Sequence, residues 1–247
     1  MKYFLLLFLL VGRVALGQTP DSAQVTAIPP VPTFKYSYIT ELGSMLAFTR
    51  TPHMQDFFRQ NKIKRAFPLD PFIYLNFGGR YRRIKAMVES GYATNGWSYW
   101  EQDDVAARRT YGAYSGAMFG YDVLNNRNNR LYLNVGIGGI FYEYSVYGRS
   151  SQPVAFSNIL QYNQPGTISS LKLSNTYWDI NVEFTQREKR RISPSFVFRV
   201  GYRQGWRAEA WESGAFPLTG APVDRIGQFY VTTGYSLAKN YAKAAKR

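Results

Sequence analysis

The chain has 247 residues, a formal net charge of +14 and no cysteine, which excludes disulfides, a thiolate metal site and a lipoprotein anchor. Tyrosine (20) and phenylalanine (17) are abundant, yet mean hydropathy is only −0.30, too polar for a bundle of membrane helices. After the first residues no stretch is apolar for the roughly 18 to 20 residues that a spanning helix needs.

Met1-Lys2 leads into the apolar run Tyr3 to Val11, and Ala15-Leu16-Gly17 supplies a small-x-small cleavage site. Residues 1–17 therefore read as a secretory signal peptide. Residues 18–37, with Pro20, Pro29, Pro30 and Pro32, read as an extended leader. A β-barrel is expected over 38–238 and a basic tail over 239–247.

The first strand is expected over Tyr38 to Phe48, with Glu41, Gly43 and Met45 on one face and Leu42, Leu46 and Phe48 on the other. Thr51-Pro52 opens a short helix, an N-cap followed by proline at the first helical position. Met54, Phe57 and Phe58 give it an apolar stripe and Asn61 ends it. Such a helix belongs in a long loop, its stripe covering one mouth of the barrel. The next hairpin spans 72–81 and 84–93 around Arg80-Tyr81-Arg82-Arg83. A polar segment, 95–107, holds Trp97, Tyr99, Trp100, Asp103 and Asp104. Strands follow over 110–123 and 131–147, joined by the asparagine-rich turn 125–129. Residues 148–170 form a loop rich in Ser, Gln, Pro and Gly.

The hairpin from Asn175 to Trp211 carries the clearest signal. Trp178, Ile180, Val182 and Phe184 alternate with Asp179, Asn181, Glu183 and Thr185. Phe196, Phe198, Val200, Tyr202 and Trp206 then alternate with Arg199, Gly201, Arg203 and Gly205. Period-two alternation gives strands with two chemically different faces. Antiparallel pairing across 187–191 sets Asp179 and Glu183 against Arg199 and Arg203. Residues 212–223 form another loop, and the last strand is expected over 225–237.

Eight strands with long connections after the first, third, fifth and seventh make an up-and-down antiparallel barrel. An eight-stranded barrel has an interior just wide enough for side chains to fill. The rings on the apolar face would overfill it, whereas most strand glycines share the polar face. Trp178, Phe184, Phe196, Phe198, Trp206 and Phe229 are therefore placed outside, against lipid, and the transmembrane reading follows. Glu41, Lys85, Glu89, Asp179, Glu183, Arg199 and Arg203 are placed inside as a charge network. Tyr142, Tyr144, Trp206 and Trp211 are expected among the rings at a membrane interface. The basic residues of the short turns, Arg80 and Arg130 among them, are expected beside lipid phosphates at the opposite surface.

The signal-like start, the eight alternating strands, the short turns set against long loops and the polar lumen resemble the small outer-membrane β-barrel proteins of Gram-negative bacteria. The resemblance covers residues 38–237. The helix Thr51-Pro52-His53-Met54-Gln55-Asp56-Phe57-Phe58 in the first long loop is similar to that of barrels found in Bacteroidota. This likeness implies a monomer in the cell outer membrane, with outer-membrane lipids and the barrel-assembly machinery as partners. Such barrels usually end on an aromatic residue that this machinery reads; here Tyr235 is followed by the basic tail, so Tyr235 or Tyr241 would have to serve.

His53 is the only histidine. A hydrolytic barrel needs a histidine beside a nucleophile or an activated water, and His53 could serve only if the first loop folds onto the rim. No nucleophile elbow, phosphate loop or metal-spaced cluster appears. Asp103, Asp104, Glu209 and Glu212 are too scattered for calcium and read as solvated charge. No cofactor, metal or nucleic acid is expected. The expectation is a non-enzymatic barrel with a structural or surface-interaction role through its long loops. A narrow pore or transporter, a loop-based hydrolase and a soluble carrier with the rings turned inward are the alternatives. The lumen charges serve either as an ion-paired core or as a solute path.

Overall fold

A computed structural model describes residues 34–63, 69–94, 105–124, 128–148, 170–214 and 217–241. The signal-like segment, most of the leader, the segment with Trp97, Trp100, Asp103 and Asp104, the loop 149–169 and the tail 242–247 lie outside the described residues, as do the side chains at 94, 105–109 and 147–148.

Eight long strands run in chain order: β1 (Tyr36–Arg50), β2 (Leu69–Tyr81), β3 (Ile84–Thr94), β4 (Val105–Asp122), β5 (Asn129–Gly148), β6 (Leu171–Gln186), β7 (Ile192–Gly205) and β8 (Gly227–Tyr241). Each pairs antiparallel with its neighbours in sequence. The last strand then pairs with the first from Tyr36↔Tyr241 to Arg50↔Gly227, so the sheet closes into a barrel and leaves no free edge. The short connections follow β2, β4 and β6, and the long ones follow β1, β3, β5 and β7. Up-and-down order gathers each kind at its own end.

The hairpin sets acids against arginines as expected, and its register fixes the partners that alternation left open: Asp179 faces Arg203 and Glu183 faces Arg199. Several strand ends differ from the expected ones, and two of the shifts matter here. Strand β4 begins at Val105 rather than Thr110, because a register shift between Arg109 and Tyr111 lets it continue pairing with β5. Strand β8 runs to Tyr241, so Lys239 belongs to the barrel wall and not to a tail. The β2–β3 turn is Arg82-Arg83 alone; Arg82 takes φ +55°, the sign that tight hairpin turns require.

The helix of the first long loop, α1 (Pro52–Gln60), starts with proline as expected, but Thr51 makes no side-chain cap. The carboxylate of Asp224 does the capping from 170 positions away. Its Oδ1 accepts the His53 backbone N–H and its Oδ2 the Met54 backbone N–H, each at 2.8 Å. A carboxylate meets the positive end of the helix dipole better than a hydroxyl. Met54 and Phe58 are buried, while Phe57 is exposed, so only part of the expected stripe packs inward. The Asn61 backbone N–H and side-chain amide both donate to the Phe57 carbonyl, at 3.1 and 2.9 Å.

Candidate functional site

The lumen is filled in layers. At the short-turn end, Arg80 donates to Glu188 and to Ser37 Oγ, both at 2.5 Å. Arg130 donates to the same Glu188 oxygen at 3.1 Å and to Asp122 at 2.9 Å. Arg187 reaches Asp122 at 3.3 Å. Burial pushes the Glu188 carboxyl up, but the Arg80 and Arg130 guanidiniums outweigh it and hold it below the usual range. Arg80 and Arg130 were expected beside lipid phosphates; they are buried and ion-paired instead. The reason is parity: both share the inward face with Asn76 and Tyr132.

One layer deeper, Glu41, Lys85, Glu183 and Arg199 form a four-membered ion cluster. Lys85 pairs with Glu183 and, at 3.3 Å, with Glu41. Arg199 closes the square, at 2.8 Å to Glu41 and 2.7 Å to Glu183. Two acids and two bases cancel. Asn76 donates to Glu41 at 3.1 Å, and Asn134 to Asn181 at 2.6 Å.

The next layer centres on Arg203, only 1% exposed. Its guanidinium reaches Asp179 at 3.2 Å and Glu89 at 3.3 Å. It also lies over the rings of Tyr114 (3.9 Å), Tyr177 (4.4 Å) and Tyr230 (5.2 Å), an arrangement in which ring quadrupoles add to the ionic attraction. Tyr177 donates to Glu89 at 2.9 Å, and Tyr230 to Asp179 at 2.8 Å. All seven expected lumen charges thus face inward, buried and paired.

The mouth at the long-loop end is polar first and apolar above. Tyr142 donates to Asp70 at 2.7 Å, and Gln228 to Tyr142 at 2.6 Å. Above them Met54 and Phe58 of α1 join a buried cluster with Tyr142, Trp211 and Ile226. Tyr144 packs edge-on to both Phe58 and Trp211, at 6.1 and 5.4 Å between ring centres. Asp224, fully buried, also accepts Trp211 Nε1–H at 2.9 Å. Helix and loop tryptophan are therefore latched by one carboxylate. Tyr142 and Trp211, expected at a membrane interface, are inside this lid. His53 Nδ1 is 3.4 Å from Asp224 with the ring largely exposed, a long contact beside an oxygen already occupied by backbone N–H.

Outside, Phe184, Phe196, Phe198, Trp206 and Phe229 are exposed on the barrel wall. Trp178 is half-covered, edge-on to Tyr202 at 5.8 Å. The rings of the apolar face stay outside as expected, but the lumen holds a second set that the sequence reading did not place: Tyr74, Tyr114, Tyr132, Tyr177, Tyr230 and Phe72, with Tyr142, all lie inside and buried. Opposing glycines make room for most of them. A Cβ at Gly116 or Gly138 would come within 2.6 Å of Tyr177 Oη, and one at Gly201 within 2.5 Å of Tyr230. The signal was in the sequence: Tyr177 shares the parity of Asp179, and Tyr230 that of Thr232 and Gly234.

No family model matches the chain, and no curated protein matches it. Solved structures do. Ail, the attachment invasion locus protein of Yersinia pestis, aligns at 13% identity over 83% of this chain and 99% of its own, with a TM-score of 0.40. The outer membrane protein OprG of Pseudomonas aeruginosa aligns at 9% identity over 86% and 99%, TM-score 0.41. The outer membrane protease OmpT of Escherichia coli aligns at 9% over 88% and 100%, TM-score 0.37. Likenesses at this level bear on neither ligand nor activity.

Proposed function

We propose that the chain is an integral outer-membrane barrel with a sealed lumen and no catalytic centre, serving as a structural or surface-interaction protein through its long loops and capped mouth. One observation carries the reading: the chemistry of the wall is inverted, with ion pairs on the axis and apolar side chains such as Ile73, Val88, Val135 and Phe229 exposed around it. In water that surface is costly, at about 25 cal/mol per Å² of apolar area; in hydrocarbon it is the expected wall. The shortest long strand, β3, has 11 residues, and roughly 9–11 tilted residues cross the hydrocarbon. The signal-like start supports export, and the helix in the first long loop favours a Bacteroidota-type barrel. Outer-membrane lipids and the assembly machinery are the partners this reading implies, with the barrel acting as a monomer.

The sealed lumen argues against the pore. A water column would wet the side chains along it, yet Glu41, Lys85, Glu183 and Arg203 are each 1% exposed. In planar bilayers the purified protein is expected to give no discrete conductance steps; regular steps overturn the seal. Fractionation is expected to recover it with outer membranes and to require detergent for release; recovery without detergent overturns the membrane placement. The loop-hydrolase reading keeps one observation in its favour, the approach of His53 to Asp224. Hydrolysis of a peptide, ester or lipid panel that disappears in His53→Ala would replace the non-catalytic reading.

A further inference from the structure

The outer wall carries a notch at the short-turn end. Its floor is Gly79 on β2 and Ala86 on β3, which are cross-strand partners, so two adjacent outward positions lack a large side chain. Tyrosines wall it in two pairs: Tyr36 with Tyr81, rings 4.8 Å apart, and Tyr38 with Tyr241, 5.7 Å apart and edge-on. The resulting hollow encloses about 660 Å³. It is continuous with the apolar wall, since Phe77 and Val88 are exposed two residues further along the same strands.

Its rim is cationic. Tyr81, Tyr36 and Tyr241 stand side by side on β2, β1 and β8. Arg82 lies over the Tyr81 ring at 5.3 Å, and Lys239 over the Tyr241 ring at 5.9 Å. Lys239 faces outward from within β8. An apolar slot below tyrosine hydroxyls and two cations has the layering of one phospholipid: acyl chain, glycerol ester, phosphate.

Building on the membrane reading above, we propose that this notch holds a single anionic phospholipid of the leaflet at the short-turn end, its acyl chain over Gly79 and Ala86 and its phosphate between Arg82 and Lys239. The notch is specific because filling it is sterically free. A Cβ on Gly79 meets nothing closer than the Ser37 carbonyl at 3.4 Å, an ordinary contact, so the glycine is not required by packing of the barrel itself.

The test uses the full chain, purified in mild detergent, stripped of lipid and titrated with phosphatidylglycerol or phosphatidylcholine under native mass spectrometry. The wild type is expected to retain one phosphatidylglycerol per barrel. Gly79→Leu is expected to weaken that retention about tenfold or more by occupying the acyl slot; Ala86→Leu fills the same floor from β3 and should act alike. Arg82→Asn with Lys239→Gln is expected to cut the preference for phosphatidylglycerol over phosphatidylcholine by roughly 30-fold, with asparagine chosen because it tolerates the left-handed turn position. Equal retention in wild type and both filled variants would mean annular lipid only and overturn the site. A dimer that Gly79→Leu abolishes would also overturn it, by making a second copy the occupant. Flotation with phosphatidylglycerol vesicles separates the two readings: wild-type protein that fails to float refutes the membrane placement, whereas floating protein with unchanged retention in the variants refutes the notch alone.

Discussion

Phe198 and Tyr230 sit on adjacent strands and turn opposite ways, Phe198 out into the exposed wall and Tyr230 in towards Arg203. Both are large aromatic rings, so size does not choose the side. The inward ring has a hydroxyl that donates to Asp179 and a glycine, Gly201, directly beneath it. The outward ring has neither need. Tyr230 enters this narrow barrel because its hydroxyl is satisfied and a neighbour gives up its Cβ, whereas Phe72, with no hydroxyl, enters by packing edge-on to Tyr114 and Tyr142.

Neighbouring glycines offer the largest contrast. Gly138 points inward, where a Cβ would collide with the Ser115 carbonyl and sit 2.6 Å from Tyr177 Oη, while Gly139 points outward with nothing within 4 Å. Gly138→Val is expected to block refolding or to cost more than about 3 kcal/mol. Gly139→Val should stay within about 0.5 kcal/mol. Urea unfolding in lipid vesicles, followed by tryptophan fluorescence, measures both, and similar midpoints for the two variants would erase the distinction between faces.

Charge comes next. Lys85→Met leaves Glu41 and Glu183 sharing Arg199 alone, and removing one partner of a buried ionic cluster costs about 3–5 kcal/mol. Outward Val88→Leu, three residues along β3, should change stability by no more than about 0.5 kcal/mol in the same assay. A single hydroxyl is a sharper probe still: Tyr177→Phe keeps the ring over Gly138 but removes the bond to Glu89, and should cost about 1.5–3 kcal/mol, the range for a hydrogen bond to a charged group.

The smallest expected effect is a pH slope. Glu188 is held below the usual carboxylate range because Arg80 and Arg130 outweigh its burial. A folded-state value below the unfolded one means that its stabilisation is complete above the unfolded value. It is lost as pH falls below about 4.3 and on through the lower folded value. Glu188→Gln is expected to flatten the acid limb of the stability curve and leave the neutral limb parallel to wild type. An unchanged acid limb would show that Glu188 is not what the two arginines stabilise.

Strand number, alternation of short and long connections, the setting of Asp179 and Glu183 against Arg199 and Arg203 and the shared face of the seven lumen charges are legible from period-two parity alone, but which acid meets which arginine is fixed only by the hairpin register. What parity was not asked was where the tyrosines fall. Tyr177 and Tyr230 carry the parity of acids and glycines, and the rings placed outward did not include them. Arg80 and Arg130 were misplaced: counted as turn residues, they are the last inward positions of β2 and the first of β5. Asp224 could not be found by local pattern. Its partners are the backbone of His53 and Met54 and the indole of Trp211, and only the closed barrel brings loop one and loop seven together.

The seam between β1 and β8 sets an order of events for biosynthesis. Tyr36 meets Tyr81 early, but its partner on the other side is Tyr241, so no cylinder exists until nearly all of the polypeptide has been delivered. Loop closure across that span is slow and late, and until then both rims of the sheet, the greasy wall and the unpaired lumen ions are all open to water. On the membrane reading proposed above, the final fifteen-residue strand is the stitch that closes the wall.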